Sequence, residues 1–156
     1  MIQVTIPGWR DLNIDTVLMD YNGTLAVDGE LVEGVAERIK ALAEQVEIIV
    51  MTADTFGSTP DSLEELPVKL RKISAGSEAM SKRFIVDEFS TLTTAYIGNG
   101  ANDEKALSST ALGIAVIGTE GVFGPTLMAA DLIVTSPLDA LDLLLHPKRI
   151  VAGLRR

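Results

Sequence analysis

Three apolar runs in this 156-residue chain stop at side chains able to do chemistry. Val17-Leu18-Met19 ends in Asp20 and is followed by Tyr21-Asn22-Gly23-Thr24-Leu25. Residues 46–51 run into Thr52 and Ala53, and Thr94-Ala95-Tyr96-Ile97 runs into Gly98-Asn99-Gly100-Ala101-Asn102-Asp103. A buried strand that ends in a carboxylate and a glycine-containing turn sets that group at the carboxyl edge of a sheet, where open α/β folds collect their ligands. If the three strands are parallel neighbours, a carboxylate, a hydroxyl and an amide-plus-carboxylate cluster meet on one edge, a combination suited to phosphate. Taken singly, Asp20 could be a turn cap and Thr52 an ordinary strand-end residue.

The elements that must position these groups alternate between two periods. Residues 2–6 alternate apolar and polar and are closed by Pro7-Gly8, which suits an edge strand or hairpin arm; residues 16–20 form a central strand. Asp28-Gly29 within residues 23–31 marks a small hairpin. Residues 33–45 place Val35, Ile39, Leu42 and Ala43 at helical spacing, and residues 46–51 follow as a second strand. A short helix is expected from Thr59-Pro60-Asp61, a strand over 68–73, and a helix over 77–89 with Ala79, Met80, Phe84 and Ile85 on one side and Lys82 near its start. Helices over 102–109, 121–130 and 137–145 then alternate with strands over 113–117 and 131–135. Such alternation gives an α/β architecture of βαβ units with a mostly parallel sheet.

Composition sets the outer bounds. With 156 residues, 47% of them hydrophobic, residues 1–156 suit a single domain with one core. The chain has no cysteine, hence no disulfide and no thiolate metal site, and no apolar run of transmembrane length, so the expectation is a cytoplasmic protein. A net charge of −9 opposes nucleic acid and anionic membranes as partners.

The order Asp20-x-Asn22-Gly23-Thr24-Leu25, Thr52, Lys82 and Gly98-Asn99-Gly100-Ala101-Asn102-Asp103 resembles the haloacid dehalogenase (HAD) superfamily and, within it, the phosphorylation domain of P-type ATPases. The likeness continues through residues 111–116 and 129–136 and looks closest to the small soluble P-type ATPase-like proteins. It implies a Rossmann-like, three-layer HAD fold. Roughly a dozen residues separate Asp20 from the first helix and about thirty separate Thr52 from Lys82, which leaves no room for a cap domain. An open site on a small domain exposes apolar rim, so a homo-oligomer is expected.

The resemblance also implies roles. Asp20 would be the nucleophile that forms an aspartyl-phosphate on a small phosphorylated substrate. Thr52, the backbone at Ala53, Gly23 and Asn102 would hold phosphate, and Lys82 would neutralise nucleophile and phosphate, with Lys69 as its rival. Mg2+ would be held by Asp20, the backbone carbonyl of Asn22, Asn99 and Asp103. Two positions depart from the family. HAD phosphatases have an Asp where this chain has Asn22, so proton transfer worth a factor of about 10²–10⁴ is at risk. P-type ATPases have Thr there. Asn99 likewise stands where an Asp supplies the main carboxylate to Mg2+. The chain is therefore expected to be a slow Mg2+-dependent phosphohydrolase or phosphotransfer domain. The alternative is an attenuated Mg2+- and phosphate-binding regulatory domain.

Overall fold

The computed structural model describes residues 1–53 and 61–156. Its frame is a six-stranded sheet in the order β10-β9-β8-β3-β6-β7, with every neighbouring pair parallel. The strands are β3 (Thr16–Asp20), β6 (Glu47–Ala53), β7 (Lys69–Ile73), β8 (Thr94–Gly98), β9 (Leu112–Val116) and β10 (Leu132–Val134). β3 lies between β6 and β8, and all of its residues are buried.

Burial on both faces explains the unbroken apolar runs, because a parallel sheet is covered by its own crossover helices. Val17, Met19, Ile48, Val50, Ala95 and Ile97 join one core cluster, shared with α1 (Val35–Ala43) and α6 (Pro137–Leu145). The alternating residues Leu18, Ile49, Met51, Tyr96 and Ala115 join a second cluster. This one is closed by α3 (Glu78–Asp87) and α4 (Glu104–Ser109), with α5 (Gly124–Ala129) beside it. The result is the three-layer α/β sandwich expected from the element pattern. Among the described residues no helix is long and apolar enough to cross a membrane.

Two small appendages complete the fold. β1 (Ile2–Val4) pairs antiparallel with β2 (Leu12–Ile14), so the first strand is a hairpin arm. Between β3 and α1 stands the hairpin of β4 (Ala26–Val27) and β5 (Glu30–Leu31). Its turn residues Asp28 and Gly29 have φ of 51° and 84°, the left-handed conformation that two-residue hairpin turns require. The described part of the helix expected at Thr59-Pro60-Asp61 is α2 (Asp61–Glu64); residues 54–60 lie outside the described residues.

One expectation needs correction, and one element was not anticipated. The face of α3 that turns inward carries Lys82, Ile85 and Val86, whereas Met80 and Phe84 are 62% and 64% exposed. The buried ammonium broke the apolar stripe and shifted the apparent face. A further helix, α7 (Lys148–Leu154), follows His146, the residue that closes α6. Its basic start and Gly153 mask a short apolar set in which Ile150 is fully buried.

Candidate active site

Parallel register brings the motif residues to one rim. Asp20 pairs with Met51, which puts Thr52 one residue further along the neighbouring strand. On the other side Met19 pairs with Ile97, which sets Gly98 level with Asp20. The chain then turns through a short 3₁₀ helix, Ala101–Asp103, into α4.

Lys82 ties these ends together. From α3 its Nζ reaches Asp20 Oδ1 at 2.9 Å, Asp103 Oδ1 at 2.6 Å and Asn102 Oδ1 at 2.8 Å. Lys82 is 1% exposed and Asp103 is fully buried, while the Asp20 side chain keeps 10% of its surface open. The rival cation Lys69 instead pairs with Glu47, at the opposite end of β6 from Thr52.

Asp103 is saturated by the protein itself. Oδ1 accepts from Lys82 and from the Tyr96 hydroxyl at 2.5 Å, and Oδ2 accepts the backbone N–H groups of Asn99 at 3.0 Å and Gly100 at 2.9 Å. These bonds make Asp103 a brace for Lys82 and for the loop. Gly98 is what lets the brace close, since a Cβ there would lie 2.5 Å from Asp103 Cγ. Gly98→Ala is therefore expected to displace Asp103 and cost on the order of 1–3 kcal/mol, read as a shift in the urea midpoint at unchanged slope. An unchanged midpoint would show the loop indifferent to that contact.

Asn99 knits three loops. Its Oδ1 accepts the Thr24 hydroxyl at 3.1 Å, and its Nδ2 donates to the carbonyls of Gly23 at 2.8 Å and Gly121 at 3.3 Å. Gly23 has φ of 76°, and a Cβ on it would meet Glu120 Oε2 at 2.8 Å and Asn99 Nδ2 at 2.9 Å. Asn22 is exposed and, with Asn99, Gly100, Glu120, Gly121, Val122 and Phe123, lines a cavity of about 370 Å³. Thr52 is 8% exposed at its strand end and Ala53 is partly buried.

The electrostatics follow from two carboxylates facing one ammonium in a nearly dry site. Burial first, then the charge of Asp103, pushes the Asp20 carboxyl up to about 7, against the opposing pull of Lys82. Burial alone would lower the Lys82 value, but Asp20 and Asp103 outweigh it and hold Lys82 above the ordinary lysine range, so it stays charged. Burial and Asp103 likewise push the Tyr96 hydroxyl well up, which keeps it a donor. One negative charge is left unbalanced when both carboxylates ionise. Together with oxygen donors at Asp20, Asn22 and Asn99, that imbalance suits a hard divalent cation.

Tyr96, Thr24, Thr126 and Glu120 escaped sequence reasoning. Tyr96 lies two residues before Gly98, and a buried tyrosine hydroxyl requires a partner, which was the available signal. Thr126, fully buried, donates to the Gly100 carbonyl at 2.9 Å and steadies the same loop. Glu120 belongs to no motif and could be found only in three dimensions.

No family model matches the chain. It is 39% identical over 92 residues to the uncharacterized protein MJ0073 of Methanocaldococcus jannaschii, an alignment covering 56% of this chain and 99% of that one. A second uncharacterized protein of the same organism, MJ0072, is 51% identical over 39 residues, 25% of this chain and 89% of that one. Among solved structures, the fold is similar to 3-deoxy-D-manno-octulosonate 8-phosphate phosphatase from Moraxella catarrhalis, crystallised with magnesium, phosphate and the sugar acid. The TM-score is 0.69 at 17% identity, over 91% of this chain and 94% of that chain. A HAD subfamily III A hydrolase from Legionella pneumophila gives 0.68 at 17% identity over 90% and 87%. The cobalt-bound phosphatase from Haemophilus influenzae gives 0.66 at 17% identity over 88% and 90%. The chain thus belongs to one family with the MJ0073 protein, and its fold is that of the HAD hydrolases.

Proposed function

We propose that this protein is a phosphohydrolase acting through Asp20 on a small phosphorylated substrate. The observation that carries the reading is the single ammonium of Lys82 held between Asp20 and Asp103 at the rim where β3, β6 and β8 end. An oxygen of the Asp20 carboxylate attacks phosphorus while the bond to the leaving oxygen breaks, and that oxygen departs with its electron pair. Water then cleaves the acyl phosphate, which releases inorganic phosphate and restores the carboxylate. Lys82 offsets charge on the nucleophile and the incoming phosphoryl group. The Thr52 hydroxyl, the backbone at Ala53 and Gly23, and Asn102 hold its oxygens.

The cofactor is Mg2+, as in the Moraxella catarrhalis phosphatase of the same fold. Asp20, the Asn22 carbonyl and Asn99 would hold it, where it supplies charge neutralisation for the phosphoryl oxygens. Asp103 belongs behind Lys82 in this reading, since both of its oxygens are occupied by protein donors. Asn22 cannot protonate a leaving group, so substrates with good leaving groups are favoured. Within the superfamily the motif order and the missing carboxylate at position 22 favour the capless P-type ATPase-like group.

Hydrolysis of an activated aryl phosphate with Mg2+ tests the reading. The wild type should exceed Asp20→Ala, and Asn22→Asp should raise the rate by about 10²–10⁴-fold by returning a proton-transfer group. Equal rates for wild type and Asp20→Ala would defeat the enzyme reading. The knitting role of Asn99 favours one second reading, a domain that binds Mg2+ and phosphate with little turnover. Beryllofluoride binding without measurable hydrolysis would select it.

A further inference from the structure

The exposed carboxylate of Glu120, on the loop between β9 and α5, is used by none of the roles above. Its Oε1 accepts the Asp28 N–H at 3.2 Å, from the turn of the β4–β5 hairpin. Its Oε2 and the Asn99 amide nitrogen both lie within 3 Å of one point, the place where a Gly23 side chain would begin. Glu120 also shares the 370 Å³ cavity with Asn22 and Asn99, and it is the one charged side chain among the described residues lining it. The two positions where an amide replaces a family carboxylate thus open onto a cavity that contains a carboxylate from elsewhere in the chain.

We propose that Glu120 supplies to the divalent cation the negative charge that Asn22 and Asn99 withhold, acting through the ion's water shell. This rests on the metal site of the proposed function. Mg2+ gives up its waters reluctantly and keeps several when protein-bound, so a carboxylate one water away still orients and attracts it. The hairpin contact fixes where that charge sits: Asp28 N–H holds one oxygen and leaves the other turned toward Gly23 and Asn99. Gly23 keeps the space between them free.

Direct Mg2+ titration by calorimetry on the full chain, without substrate, tests this with Glu120→Gln and Glu120→Ala. Glutamine removes the charge yet keeps an oxygen to accept from Asp28 N–H, so it separates charge from latch. Partners that surround a metal's ligands typically change affinity by about 10–100-fold, and Glu120→Gln should weaken Mg2+ within that range. Asn99→Asp in the Glu120→Gln background should recover affinity, since it returns a carboxylate to the same cavity. Glu120→Gln binding like wild type while Glu120→Ala binds weakly would mean that Glu120 only pins the hairpin, which overturns the proposal. Wild-type affinity in both variants would overturn it equally and leave the phosphohydrolase reading standing. A wild type that takes up no Mg2+ would remove the metal site itself, and with it both readings.

Discussion

Asp20→Asn should abolish turnover of an aryl phosphate, by a factor on the order of 10⁴ or more, and at the same time make the protein more stable above neutral pH. An amide nitrogen or oxygen in place of the carboxylate offers no nucleophile, while Lys82 keeps Asp103 as a partner at 2.6 Å. The gain in stability follows from linkage. The Asp20 carboxyl has an ordinary value of 3.8 and is pushed up to about 7 by burial and by Asp103, so the folded state binds its proton more tightly than the unfolded chain does. The fold is therefore favoured by a protonated Asp20 at low pH, and this contribution is lost as pH climbs from about 4 through 7. Above 7 the metal-free wild type carries the full cost of a buried, under-neutralised carboxylate, which Asn removes. Chemical unfolding of metal-free protein at pH 6 and pH 8 reads the effect: the wild type weakens between them, and Asp20→Asn weakens less. A variant destabilised at pH 8 would mean that the carboxylate is well compensated and that the charge account above is wrong.

Lys82→Met should be the most destabilising single change at the site. Three acceptors converge on Nζ from β3 and from the loop after β8, at 2.9, 2.6 and 2.8 Å, and the residue is 1% exposed. Its removal leaves two buried carboxylates facing each other. Breaking a buried pair in this way costs about 3–5 kcal/mol, against about 0.5 kcal/mol for a solvated surface lysine. In a chain of this size the larger figure corresponds to a fall in Tm of roughly 10 °C. The loss should shrink as pH drops, because protonating either carboxylate relieves the repulsion. Asp103→Asn added to Lys82→Met should cost less than the sum of the two, since the second substitution removes the charge stranded by the first. A shift under one degree would return Lys82 to the status of an ordinary helix lysine.

The central strands and their order of chemistry were legible because their signals are local. The runs ending at Asp20, Thr52 and Gly98 are apolar on both sheet faces, and parallel strands alternating with amphipathic helices leave few other architectures. The helix expected over 137–145 is α6, where Ser136 accepts from the Asp139 N–H at 3.1 Å and Pro137 opens the helix. Misreadings arose where a local rule met a long-range partner. Lys82 scores as polar in any periodicity, yet it is among the most buried residues of α3, paired with residues 62 and 21 positions away. The inward face of α3 is the one that carries Lys82, and Met80 and Phe84 lie outside. Asp103 was legible as a motif carboxylate, and three of its four donors, Tyr96, Asn99 and Gly100, come from its own strand and loop. Glu120 reaches the site through a contact 92 residues away in sequence, a spacing at which pattern carries no information.

A nucleophilic Asp20 must become phosphorylated during turnover. The direct measurement is brief incubation with an activated aryl phosphate and Mg2+, acid quenching, borohydride reduction and peptide mapping by mass spectrometry. An acyl phosphate on Asp20 is reduced to homoserine at that position, and the account predicts this product in wild type and its absence in Asp20→Asn. Hydrolysis that proceeds with Asp20 recovered unmodified under conditions that trap an acyl phosphate, or reduction mapped to a different carboxylate, would contradict it.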